Sequence, residues 1–198
     1  MMNYLSNKEG ALRALTFFIE RHEEKPIFSS KSEIKPMPSE VYVNKEITVG
    51  GGTIDLLKGS ANNEVGVTNF DGNKLDDGRA FAVDGVAFHI AIGDSGAHPY
   101  NVDYDKGVQS SEFQPFQFAN LVLKQNNEIL VKLPISSIEN GKENFSEYRD
   151  LDLTLISPKT KVEVQIQFPD DVAVPVLDDG KALFVSAKFR GYESYQRR

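Results

Sequence analysis

The spacing of apolar residues changes once along the chain, from a helical period to a period of two. Near the N-terminus, Leu12, Leu15, Phe18, Ile19 and His22 follow i, i+3, i+4 and i+7 intervals from Ala11 and Leu12. Such residues share one face of an α-helix. Ser6 and Glu9 stand as Ser-x-x-Glu ahead of this run, which reads as a capping box satisfying free amides at a helix start. Pro26 ends the pattern, because proline cannot continue a helix. Residues 26–40 hold Pro26, Pro36, Pro38 and four serines, and read as an extended connector outside the core.

From Val41 the alternation is that of strands. Val41, Val43 and Ile47 share one side of Val41–Thr48; Gly50-Gly51-Gly52 breaks the run, and Thr53–Lys58 resumes it. Phe81 and Val83 lead into Val86, Phe88, Ile90 and Ile92, which alternate with Ala87, His89 and Ala91. Asp84-Gly85 between them predicts a bulge or turn. Leu121 and Leu123 alternate up to Gln125, Asn126-Asn127 reads as a two-residue hairpin turn, and Ile129, Val131 and Leu133 return. Leu151, Leu153 and Leu155 alternate. So do Val162, Val164, Ile166 and Phe168, with Lys161, Glu163, Gln165 and Gln167 opposite. Leu183, Val185, Ala187 and Phe189 form a last strand. About eight strands without intervening helices predict a mainly β chain, an antiparallel β-sandwich or barrel rather than a βαβ fold.

The 198 residues are 40% hydrophobic and 26% charged, enough for a sizeable core. The formal charge of −7 argues against broad nucleic-acid binding, which needs a positive footprint. Without cysteine there are no disulfides, thiolate metal sites or cysteine nucleophiles. No stretch approaches 18 uninterrupted apolar residues, the length that predicts a membrane-spanning helix. The first segment does not read as a signal peptide: Arg13 and Thr16 interrupt it, and Glu20, Arg21, Glu23 and Glu24 follow. The expectation is a chain folded where it is translated.

Candidate chemistry is sparse. Gly93-Asp94-Ser95-Gly96 looks like the nucleophile segment of trypsin-like serine proteases, but His22 and His89 lack that family's histidine context, and Ala97 replaces its next glycine. A triad needs a histidine in reach of the serine, so a polar turn is expected. Asp71–Gly78 departs from an EF-hand loop, offering Leu75, Asp76 and Ala82 at the fifth, sixth and twelfth positions. An irregular calcium site at Asp76 and Asp77 stays open against a solvated turn. His22, His89 and His98 form no paired spacing for zinc or iron, and His89 is expected to face solvent or an interface. Gly50-Gly51-Gly52 has no following Lys-Ser or Lys-Thr and reads as a hinge rather than a phosphate loop. No catalytic, metal-binding or cofactor-binding residue is assigned. Tyr100, Tyr104, Phe113, Phe116 and Phe118 cluster around one long loop, and either pin it to the core or offer a contact patch. The end, Phe189 to Arg198, turns basic and reads as a solvated tail or a docking segment.

An N-terminal helical arm, a Pro/Ser connector and about eight strands resemble single jelly-roll capsid proteins of bacterial viruses. The C-terminal stretch carries most of this likeness. Val162-Glu163-Val164-Gln165-Ile166-Gln167-Phe168-Pro169 is a late strand; a Val/Pro loop runs to Pro175; Ala182–Arg190 closes the fold, with Gly191-Tyr192-Glu193 just outside. The resemblance spans residues 41–192 and implies a jelly-roll β-sandwich without catalytic residues. It implies self-association into a symmetric oligomer or shell, contact with other virion proteins, and a location in the virion after synthesis in the host cytoplasm. It leaves room for contact with an internal viral membrane, and predicts no specific nucleic-acid binding.

The chain then divides into a helical arm (1–25), a connector (26–40), a jelly-roll sandwich (41–192) and a tail (193–198). The expected function is structural. The alternatives are a β-sandwich module binding a glycan or receptor at a phage or cell surface, and an enzyme on a jelly-roll scaffold. Interface residues are expected at Leu12, Leu15, Phe18, Ile19, Phe113, Phe116, Phe118 and Tyr192. The helix is expected to pack on a neighbouring subunit, since a sixteen-residue connector from Lys25 to Glu40, at about 3.3 Å per residue, reaches roughly 50 Å. The competing expectation is that it folds back over its own sheets.

Overall fold

The alternating segments form strands that pair antiparallel throughout. The structure is a computed structural model and describes residues 2–47, 52–59, 63–104, 113–140, 146–172 and 177–196; the side chains of residues 2–7 and 140 are not among them. Eight strands are found among these residues, in two sheets of four. The first sheet has β1 (Met37–Ile47), β8 (Lys181–Tyr195), β3 (Arg79–Asp94) and β6 (Arg149–Ile156), in that order. The second has β2 (Thr53–Asp55), β7 (Val162–Gln167), β4 (Asn120–Gln125) and β5 (Glu128–Pro134). The described helices are α1 (Met2–Glu24), α2 (Gln114–Gln117) and α3 (Ile135–Asn140). The chain is therefore mainly β, as alternation predicts. The Gly50-Gly51 part of the expected hinge, the end of the Val/Pro loop (173–175) and Arg197-Arg198 lie outside the described residues.

Both sheets contribute to one buried cluster. It includes Val41 and Val43 of β1, Phe81, Val83, Val86, Phe88 and Ile90 of β3, Leu121 and Leu123 of β4, and Val164 and Ile166 of β7. Phe116 of α2 extends it, lying edge-on to Phe168 with ring centroids 5.1 Å apart. Such edge-to-face pairs add to the gain from burial alone.

The phase change in β3 has a local cause. Phe81 and Val83 stand at odd positions, Val86, Phe88 and Ile90 at even ones, yet all enter the same core. Against β8, Val83 pairs with Gly191 and Gly85 with Arg190, so Asp84 is the extra residue of a bulge. The bulge restores phase; without it one half of the strand would face outward. Gly191 is required there, since a Cβ would lie 1.9 Å from the Ala82 carbonyl oxygen. At the β4–β5 turn, Asn126 and Asn127 take φ of 49° and 66°, the left-handed pair a two-residue hairpin needs.

The outward positions of β3 are nearly all small: Ala80, Ala82, Gly85, Ala87, Ala91 and Gly93. Other parts of the chain settle on that surface. Helix α1 does so through a second apolar cluster of Phe18, Phe28, Ile34, Ala80 and Ala82, flanked by Leu15, Phe17, Ile19, Leu153, Leu155 and Tyr192. This corrects three expectations. The helix starts at Met2, so Ser6 lies within it instead of capping it. The segment expected as a bare connector buries Phe28 and Ile34, and β1 begins inside it at Met37. The apolar face of the helix is covered by its own sheet, the second of the two arrangements considered. The physical reason is a turn just past the helix. The His22 ring accepts the backbone N–H of Ile27 (3.1 Å) and of Phe28 (3.4 Å), reversing the chain. A capping box does occur, at Ser30 and Glu33 of the 3-10 turn that follows.

Strand β6 differs too. Thr154 pairs with Val83 but Asp150 pairs with Gly85, so β6 takes more residues than β3 across the bulge. Leu151 therefore packs on the core between the sheets, while Leu153 and Leu155 face α1. Their shared spacing predicted one face.

Candidate interaction surface

Between α1 and the loop after β3, the outer face of the β1-β8-β3-β6 sheet carries a belt of charge. It begins at the bulge, which turns Asp84 outward into a nearly buried position. Arg190 Nε donates to Asp84 Oδ1 at 2.8 Å, and Arg190 Nη2 donates to Asp150 Oδ1 at 2.7 Å. Arg13 of α1 approaches the other oxygen of Asp84 to 3.8 Å. The Arg190 guanidinium also lies 5.3 Å from the centre of the Tyr148 ring, within cation–π range. Tyr148 donates its hydroxyl proton to Glu40 across the sheet. Glu147 pairs with Lys188 at 2.8 Å and faces His89 Nε2 at 3.5 Å.

Residues 146–148 thus cross the face of the sheet, over the small side of β3. Gly85 makes room: a Cβ there would come within 2.9 Å of the Arg190 side chain. Burial pushes the Glu40 carboxyl up from its ordinary range, against the pull of Lys188. For Arg190 burial favours loss of the proton, but its bonds to Asp84 and Asp150 outweigh this and raise its pKa. A cleft of about 600 Å³ opens beside the belt, with Arg13, Ser39, Asp84, Arg190 and Tyr192 among its lining. Chemically, the belt holds opposite charges in pairs and ties α1, β6 and residues 146–148 to one sheet.

The structure distributes the eight expected interface residues unevenly. Phe18, Phe113 and Phe116 are fully buried inside the chain, which corrects their placement on an open surface. Their aromatic bulk is spent on the chain's own cores. Leu15 and Ile19 are half-buried beside Phe18. Tyr192 is half-buried, with its hydroxyl beneath α1 where a Cβ on Gly10 would lie 2.1 Å away. Leu12 and Phe118 remain exposed, at 54% and 61%. Sequence reasoning passed over Met37, Val65, Ile129 and Tyr195, which are also exposed. Met37, Val65 and Tyr195 are isolated apolar residues at a strand end or loop, so no periodicity marks them; Ile129, expected to share a side with Val131 and Leu133, lies beyond a register shift in the β4–β5 ladder and is exposed instead.

Ser95 sits in a turn after β3, where Gly96 has a φ of 77°. Its hydroxyl donates to Glu46 Oε1 at 3.3 Å, and the Gly96 amide donates to Glu46 Oε2 at 3.1 Å. His98 stacks on Tyr100 at 5.0 Å. Asp77 pairs with Lys159 at 2.8 Å and Asp71 with Lys74 at 3.8 Å. Among the described residues no group of three or more His, Asp or Glu side chains is placed to hold a metal ion. His89 does point out of the core, but the chain covers it and leaves its side chain 15% exposed. No described helix is long and apolar enough to cross a membrane. No protein-family model and no curated protein matches the chain.

Proposed function

We propose that the chain is a non-enzymatic structural protein of a virus particle, a capsid or capsid-associated subunit built as a jelly-roll β-sandwich. The observation that carries this reading is the strand order. The pairs β1·β8, β2·β7, β3·β6 and β4·β5 are those of one long antiparallel hairpin of eight strands. The remaining pairs, β3·β8 and β4·β7, are those made when such a hairpin is rolled into two sheets. This pairing supports the reading as a jelly roll, a fold that capsid subunits use. It supports the likeness to single jelly-roll capsid proteins of bacteriophages that the C-terminal strands suggest.

Function in such a subunit is geometric. A rigid core fixes surface positions relative to one another, and many copies share small contacts whose effects multiply in a closed assembly. The partners are further copies of this chain and other virion proteins, and the site of action is the virion assembled after synthesis in the host cytoplasm. Leu12 and Phe118 are the expected contact residues that the chain itself leaves open. Light scattering coupled to size-exclusion chromatography tests the reading. Defined oligomers or larger closed assemblies are expected, weakened by Leu12→Ser and Phe118→Ser without loss of folding. A chain that stays monomeric at high concentration and binds a glycan on an array would replace this reading with that of a binding module.

A further inference from the structure

Among the described residues, three buried side-chain oxygens lack a hydrogen-bond partner: Asn44 Oδ1, Ser186 Oγ and the Tyr104 hydroxyl. Two of them, Asn44 Oδ1 and Ser186 Oγ, belong to one row of the first sheet. Asn44 on β1 is the register partner of Ser186 on β8, and Ser186 is the register partner of His89 on β3. Their neighbours Val43, Val185, Ala187, Phe88 and Ile90 enter the core, so this row points outward. Directly opposed residues of an antiparallel pair hold their Cβ atoms about 4.5–5.5 Å apart. The Asn44 amide and the Ser186 hydroxyl are therefore neighbours that make no bond to each other.

Residues 100–102 pack close to this row. Val102 reaches within 3.1 Å of where a Cβ on Gly93 would be, and Tyr100 within 2.8 Å of where one on Gly66 would be. The Gly66 carbonyl in turn accepts the Asn44 side-chain N–H at 3.0 Å. Ser186 is sealed, at 1% exposure, and burial raises the pKa of the Tyr104 phenol. A dry, unbonded oxygen in such a place is costly, and native folds fill such gaps with water. The donor set suits water rather than an ion. Asn44 Oδ1 only accepts, and the two hydroxyls both donate and accept. All are neutral, and the nearby Glu147 carboxylate is engaged by Lys188 and His89.

We propose that the outer face of this sheet holds a buried water molecule, donating to Asn44 Oδ1 and bonded to Ser186 Oγ. This water bridges β1 and β8 and gives each of the two oxygens a partner, within the two to four bonds that a buried water makes. A crystal structure of the full chain tests it. Density for a water within about 2.6–3.2 Å of both oxygens is expected. An empty gap, or a direct Asn44–Ser186 hydrogen bond, would overturn the proposal. The sign of a second measurement is independent of crystals. Ser186→Ala should lower Tm by about 2–4 °C, since it removes a satisfied hydroxyl. An unchanged or higher Tm would mean that the hydroxyl is dry and that no water is held there.

Discussion

Single residues carry more of this fold than their size suggests, and Gly191 shows how. It stands opposite the β3 bulge, where the backbones approach too closely for a side chain. Gly191→Ala is expected to cost about 1–3 kcal/mol, the range for overpacking, because a carbonyl of the central strand cannot rotate aside. Chemical denaturation measures this; an unchanged midpoint would place the strands farther apart. Glu40 gives a test in pH. Its pKa is raised by burial, so the folded chain holds that proton more tightly than the unfolded chain does. This contribution favours the fold below the ordinary carboxylate range and is lost as pH rises through the folded pKa. Glu40→Gln keeps an acceptor for Tyr148 and removes the ionisation. The variant should gain in Tm relative to the native chain at pH 7, and the gain should shrink towards about pH 4. A difference independent of pH would show that burial does not govern this carboxyl.

At the scale of elements, strand β7 and helix α1 make opposite points about what a pattern can tell. In β7, alternation predicts Val164 and Ile166 inward with Glu163 and Gln165 outward, and the burial follows that register. Ile166→Ala should therefore cost about 2–5 kcal/mol, and Gln165→Ala about 0.5 kcal/mol; equal losses on urea unfolding would mean a different register. For α1, periodicity shows that one face seeks cover but not which surface supplies it. The signal for the answer lay elsewhere, in the row of alanines and glycines on the outer side of β3. Phe18 is now part of the chain's own second core. Phe18→Ala should cost about 3–5 kcal/mol, whereas an arm docked only on a neighbour would show no loss in the isolated subunit. The Leu151, Leu153 and Leu155 series was misleading because a register change in β6 shifts its phase, and nothing in those leucines encodes the bulge across the ladder.

For the whole molecule, the strands were legible because burial on one face imposes a period of two, and the Asp84-Gly85 interruption already marked the bulge. The order of the strands was not, since pairing between distant segments leaves no local trace. The charge belt was equally hidden: Arg13, Asp84, Asp150 and Arg190 come from four elements. That order, β1-β8-β3-β6 and β2-β7-β4-β5, is the observation on which the proposal of a rolled hairpin and a shell subunit rests. Electron cryomicroscopy of the purified full-length protein, over a range of concentrations and ionic strengths, tests that account most directly. It predicts symmetric rings or closed shells of repeated copies, with α1 lying on its own sheet and Leu12 or Phe118 at the contacts between copies. A field of separate monomers under every condition would contradict it.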